Sequence, residues 1–144
     1  MSRPTPNTLE SYPYRITIPT RWADNDVYGH VNNSVYYFYF DTVVNKWLIE
    51  TGLLVIGKSE VIGLVVGTSC DYFAPISFPE DVVAGLRAAK IGSSSATYEI
   101  GLFRNNETTT SAQGSFVHVY VDEKNRRPVP ISDKMKEKLG EIAS

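Results

Sequence analysis

The chain has 144 residues, 42% hydrophobic and 21% charged, with a formal net charge of −2. That length suits one domain with a real core, and that charge gives no global attraction to nucleic acid or an anionic membrane. One cysteine, Cys70, excludes an intrachain disulfide, and no apolar run is long enough to span a bilayer. The first ten residues lack the apolar core of a signal peptide, so a cytoplasmic protein is expected.

In chain order, residues 1–12 read as a tail. Tyr14, Ile16, Ile18 and Trp22 then alternate with Arg15, Thr17, Pro19 and Arg21, the period of a half-buried strand. Pro19 suits an edge position or a bulge. Tyr36, Phe40, Val43 and Trp47 recur at helical spacing, with Asp41, Asn45 and Lys46 on a polar side. Asn33 or Ser34 suits the N-cap, and Gly52 suits the stop. The aromatic run from Val35 to Phe40 predicts that the front half of this helix is largely enclosed.

Strand follows strand from Val61 onward. Val61 to Phe73 is rich in β-branched residues, and Ala74-Pro75 with Phe78-Pro79-Glu80-Asp81 punctuates the turn after it. Val82 to Ile91 reads as one strand ending at Gly92. Tyr98, Ile100 and Leu102 alternate in the next, Asn105-Asn106 is a natural hairpin turn, and Phe116 to Val121 is a further strand with Val117, Val119 and Val121 on one face. Ser132 suits the cap of a short polar helix within 132–144. One strand, one long helix and then about four strands predict an α+β domain, residues 1–144, with an antiparallel sheet.

The chemistry-bearing residues gather where the first strand hands over to the helix. Asp24, Asp26, Gly29, His30, Asn32 and Asn33 lie within one short turn, and a helix start offers free N–H groups to an oxyanion. A carboxylate there can deprotonate water or attack a carbonyl carbon; it can equally close an Asx-turn or cap a helix. His30 can polarise water or hold the loop by hydrogen bonds. Tyr36, on the first turn, can line a pocket or pack in the core. The spacing fits no familiar metal motif, so no metal is expected. Gly92-Ser93-Ser94-Ser95-Ala96 lacks the strand–turn–helix setting of a nucleophile elbow, and there is no P-loop or dinucleotide fingerprint.

The pattern Asp24-x-Asp26-x-x-Gly29-His30-Val31-Asn32-Asn33-x-x-Tyr36 resembles the 4-hydroxybenzoyl-CoA thioesterase branch of the hotdog-fold acyl-CoA thioesterases. Phe73-Ala74-Pro75 with Glu80-Asp81, Lys90-Ile91-Gly92-Ser93-Ser94-Ser95 and Arg127-Pro128-Val129-Pro130-Ile131 resemble later motifs of that family in order and spacing. The resemblance implies a hotdog fold, an antiparallel sheet wrapped around one long helix. It also implies homodimers or homotetramers with sites at subunit interfaces, and hydrolysis of an acyl-CoA without cofactor. It makes Asp26 the catalytic carboxylate and the Asn33 backbone N–H the oxyanion donor, with Asp24, Gly29, His30 and Tyr36 in support. Arg87, Lys90, Ser94, Ser95, Arg126 and Arg127 become candidates for CoA contact. Serines stand at the kink where some relatives carry arginines, which leaves room for an acyl carrier protein as the thioester carrier. A non-catalytic module that binds acyl thioesters is the alternative from another class.

Overall fold

Tyr14, Ile16 and Ile18 turn one half-buried face inward while Arg15, Thr17 and Pro19 face out, which makes β1 (Tyr14–Pro19). The structure is a computed structural model that describes residues 4–143. Trp22 does not continue the strand. It opens a short 3-10 turn, Trp22–Asp24, and is 77% exposed. The change of period then gives α1 (Asn33–Glu50). Its N-cap is Asn32 rather than Asn33 or Ser34, because the Asn32 side chain accepts from the Ser34 N–H. Gly52, at φ +76°, ends it in the left-handed conformation that a glycine adopts without strain.

Four strands follow: β2 (Val61–Tyr72), β3 (Asp81–Ile91), β4 (Ser95–Arg104) and β5 (Ala112–Asp122), then α2 (Asp133–Glu141). The sheet order is β1-β3-β4-β5-β2, with every pairing antiparallel. Pro19 thus sits on an edge strand, where its missing N–H costs no ladder bond. α1 packs against one face of this sheet. Phe40, Val43 and Val44 meet Leu86, Ile100 and Leu102 in a fully buried core. Phe38 departs from the expected enclosure and is 65% exposed, since it lies on the side of the helix that faces away from the sheet. On β5 the buried face carries Phe116, His118 and Tyr120, while Val117 and Val119 lie half-buried on the other side. α2 is capped by Ser132, which accepts from the Met135 N–H, and it buries Met135 and Leu139 despite its polar composition.

The segment before β1 has packing of its own. Tyr12 is 1% exposed and lies over Gly85 and Gly101, which pair across β3 and β4. A Cβ on either glycine would come within 2.6 or 2.5 Å of the Tyr12 side chain, so two bare positions form its seat. The Tyr12 hydroxyl accepts from Asn7, the Arg87 guanidinium lies 5.1 Å from its ring centre, and Phe103 meets its edge.

One buried titratable group predicts a pH dependence. Burial pushes the His118 imidazole down to about 4 from an ordinary value of 6.5. Below pH 6.5 the unfolded chain therefore takes a proton that the folded chain refuses. Stability is expected to fall as pH drops from 6.5 to about 4, by up to about 3 kcal/mol. Urea midpoints at pH 7 and pH 4.5 check this: His118→Leu should lose less stability between them than the wild type.

Candidate functional site

The loop between β1 and α1 is built on Asp24. Its carboxylate is 1% exposed and accepts the Arg21 N–H at 2.9 Å, the Arg21 guanidinium at 2.9 and 3.0 Å, and the Tyr39 hydroxyl at 2.8 Å. Burial alone pushes the carboxyl up. The Arg21 N–H, the Tyr39 hydroxyl and the Arg21 guanidinium outweigh it and hold the group below its usual range. Burial and the same carboxylate push the Tyr39 hydroxyl well up, so it stays a donor. Asp24 is thereby fully engaged in shaping the loop.

Four further bonds fix the turn. Asn32 N–H donates to Asp24 O at 2.9 Å, Asp26 N–H to His30 O at 2.8 Å, and Val31 N–H to Ile76 O at 2.7 Å. The Asn25 side chain accepts from the Phe78 N–H at 3.0 Å and ties the loop to the β2–β3 connection. Gly29, at φ +80°, makes the bend; a Cβ there would meet nothing within 4 Å, so the backbone conformation alone requires glycine.

This turn presents Asp26 half-buried at a cleft. Its Oδ1 accepts the Tyr28 N–H at 2.8 Å, and among the described residues no donor meets Oδ2. The cleft is lined by Asp26, Tyr28, His30, Val31, Asn33 and Tyr36 from the loop and α1, and by Tyr72, Phe73, Ala74 and Pro75 from the end of β2 onward. As the first helical residue, Asn33 has no intrahelical acceptor for its N–H. Tyr36 is buried, its ring 5.0 Å from that of Tyr72, and burial pushes its hydroxyl up. In the wall from Tyr72 to Pro75, Phe73-Ala74-Pro75 is legible in the sequence as a turn and a family motif but not as part of a site. Only the pairing of β2 and the Val31–Ile76 bond bring it to the loop.

None of the residues considered for CoA contact lines this cleft. Arg87 pairs with Glu99 at 2.8 Å and covers Tyr12 on the far face of the sheet. Ser94 and Ser95 shape the β3–β4 turn, their carbonyls accepting the Tyr120 and Gly92 N–H groups. Lys90 is exposed near the end of β3, and Arg127 is exposed in the turn after β5. Arg126 lines a separate surface groove with Lys58 and Lys124 near the start of β2.

A carboxylate, a free helix-start N–H and an apolar wall within one cleft suit acyl transfer to water. The family model of the thioesterase-like superfamily matches residues 20–139. The chain belongs to this superfamily. The PA5185 protein of Pseudomonas aeruginosa strain PAO1 is 48% identical; the match covers 97% of this chain and 98% of that one, with a TM-score of 0.94. A thioesterase of Thermus thermophilus, solved with coenzyme A and zinc, is 27% identical over 91% of this chain and 95% of its own, with a TM-score of 0.76. Protein YsmA of Bacillus subtilis strain 168 is 26% identical over 90% of this chain and 86% of its own. The sheet around α1 is thus the hotdog fold of the superfamily, and the chain is a thioester hydrolase. No helix among the described residues is long and apolar enough to cross a membrane.

Proposed function

We propose that this superfamily member is an acyl-CoA thioesterase in which Asp26 is the catalytic carboxylate and the Asn33 N–H the oxyanion donor. The observation that carries the reading is an Asp26 oxygen that meets no donor among the described residues, in one cleft with the helix-start N–H. As a general base, Asp26 takes a proton from water while the water oxygen attacks the thioester carbonyl carbon. The carbonyl oxygen becomes an oxyanion and accepts from Asn33 N–H. Collapse breaks the C–S bond, and the leaving thiolate takes the proton from Asp26, departs as CoA and restores the carboxylate. As a nucleophile, Asp26 would instead bond to the carbonyl carbon and expel the CoA thiolate as the C–S bond breaks, giving a mixed anhydride that water then cleaves to the acid and the free carboxylate. Asp24 and Gly29 hold the loop, and His30 and Tyr36 line the cleft.

The choice of CoA is supported by the Thermus thermophilus relative solved with coenzyme A. The cleft itself offers no lysine or arginine for phosphates. The free edge of β2 supports a composite site. Val61, Leu64, Val65 and Val66 are exposed along this outer strand, which pairs with β5 on one side only among the described residues, and a long apolar edge invites pairing with another copy. Antiparallel pairing about a two-fold axis would set one protomer's Val61 end beside its partner's Tyr72 end. The groove that Lys58, Lys124 and Arg126 share with Glu60, Asp122 and Glu123 would then stand near the other protomer's cleft. Exposed Trp22, Val27 and Tyr28 beside the loop are apolar surface that such an assembly covers.

The reading is tested by comparing acyl-CoA, acyl-carrier-protein and acyl-pantetheine thioesters of the same acyl group. Acyl-CoA should be the best substrate by kcat/KM; preference for the carrier protein would replace CoA as the carrier, and binding without turnover of any would favour a non-catalytic module. Light scattering should give at least a dimer, and a monomer at micromolar concentration would remove the composite site.

A further inference from the structure

The loop before α1 is a small hairpin whose two legs face each other at Asn25 and Val31. The Asp26 N–H donates to His30 O at 2.8 Å inside it, and the Asn32 N–H to Asp24 O at 2.9 Å closes its base. Across the cleft, the wall that follows β2 is fastened to the sheet. The Phe73 and Ala74 N–H groups donate to Ser111 O at 2.8 and 3.1 Å, and the Arg104 guanidinium to Pro75 O at 3.0 Å. Each leg of the hairpin holds on to the chain that continues this wall. The Val31 N–H donates to Ile76 O at 2.7 Å, and Asn25 Oδ1 accepts the Phe78 N–H at 3.0 Å. The first bond brings hairpin and wall together but leaves rotation about itself; the second, on the opposite leg, removes that freedom. The first joins two main-chain groups. The second depends on one side-chain oxygen, and it belongs to the residue directly before Asp26. The Trp22 ring meets the Phe78 ring edge to face at 5.9 Å, which seats the chain before Asn25 on the same post.

We propose that Asn25 is a positioning residue that sets the gap between the Asp26 carboxylate and the cleft wall, and with it the alignment of Asp26 on a bound thioester. The inference rests on the reading of Asp26 as the catalytic carboxylate. Attack on a carbonyl carbon needs reacting atoms about 3–3.5 Å apart, and a misplacement of about 1 Å costs about 100-fold in rate. Asn25 is not among the residues that line the cleft, so it acts through its neighbour rather than on the substrate. The contact calls for an acceptor and not for an amide, since the Phe78 N–H is the donor and only the Asn25 oxygen is used. A half-buried bond of this kind adds little to folding stability, so its loss is expected in the rate rather than in the fold.

The test is steady-state hydrolysis of the best acyl-CoA by the full chain at about pH 8, where the neighbouring carboxylates of Asn25→Asp are both ionised. Asn25→Leu keeps the size and removes the acceptor. It should lower kcat by about 10- to 100-fold and change KM by less than about threefold. Asn25→Ala should do the same, and it carries the test if circular dichroism shows the leucine variant unfolded. Asn25→Asp again offers an oxygen to the Phe78 N–H and should keep kcat within about threefold of the wild type. Added to Asp26→Asn, Asn25→Leu should cost less than about twofold more, because no base is left to misplace. Wild-type kcat in both Asn25→Leu and Asn25→Ala overturns the proposal, as does a loss carried by KM alone. An equal loss in Asn25→Asp, or the full loss repeated on top of Asp26→Asn, overturns it too. If Asp26→Asn collapses while the Asn25 variants do not, the positioning role fails and the hydrolytic reading stands. If Asp26→Asn matches the wild type, or the wild type is inactive, that reading fails and takes this role with it.

Discussion

Asp26→Asn is expected to lower kcat for thioester hydrolysis by about 100- to 10,000-fold, the range for loss of a positioned general base. Asparagine keeps an oxygen that can accept the Tyr28 N–H, so the bend at Gly29 and the start of α1 are retained. What disappears is the ability to take a proton from water or to attack the carbonyl carbon. Because the acyl and CoA portions keep their contacts, KM should change little while kcat collapses. Steady-state kinetics on one good substrate check this. A rise in KM with kcat preserved would make Asp26 a binding residue. Asp24→Asn should behave differently: Asp24 meets Arg21 and Tyr39 rather than the cleft, so its loss should appear first as lower stability.

Tyr12→Ala is expected to cost about 3–5 kcal/mol of folding stability, the range for deleting a fully buried aromatic ring. The ring rests on Gly85 and Gly101, and neither can fill the space it leaves. Phe103 and Arg87 lose a packing face as well. Urea denaturation measures the effect, and a loss below about 1 kcal/mol would mean that this segment is not seated in solution as described. The coupling is equally specific. Gly101→Ala should be strongly destabilising in the wild type because its Cβ would strike Tyr12 at 2.5 Å, and far milder once Tyr12 is alanine.

These two residues mark where the sequence was legible and where it was not. The switch from alternation at Tyr14–Ile18 to helical spacing at Tyr36–Trp47 is strong, local and periodic, so the strand, the helix and the polar turn between them could be read directly. Capping depends on one side-chain rotamer, and Asn32, Asn33 and Ser34 are all good formers of it; Asn32 wins because its oxygen reaches the Ser34 N–H. Phe38 reads as core by type and lies outside because only one face of α1 meets the sheet. Tyr12 sits in a stretch with no periodicity, and its burial depends on glycines far along the chain that become neighbours only through the register of β3 and β4. The cleft wall is an intermediate case: Phe73-Ala74-Pro75 carries a family motif, but its place against the loop follows only from topology.

In the proposed mechanism Asp26, held at the start of α1, drives acyl-CoA hydrolysis. That role is tested most directly by thiol release from a panel of aryl and aliphatic acyl-CoAs, with wild type and Asp26→Asn assayed side by side. Sustained release from at least one acyl-CoA by the wild type and a fall of about 100-fold or more in the variant are expected. Equal rates for the two proteins on the best substrate, or no release by the wild type from any of them, would contradict it.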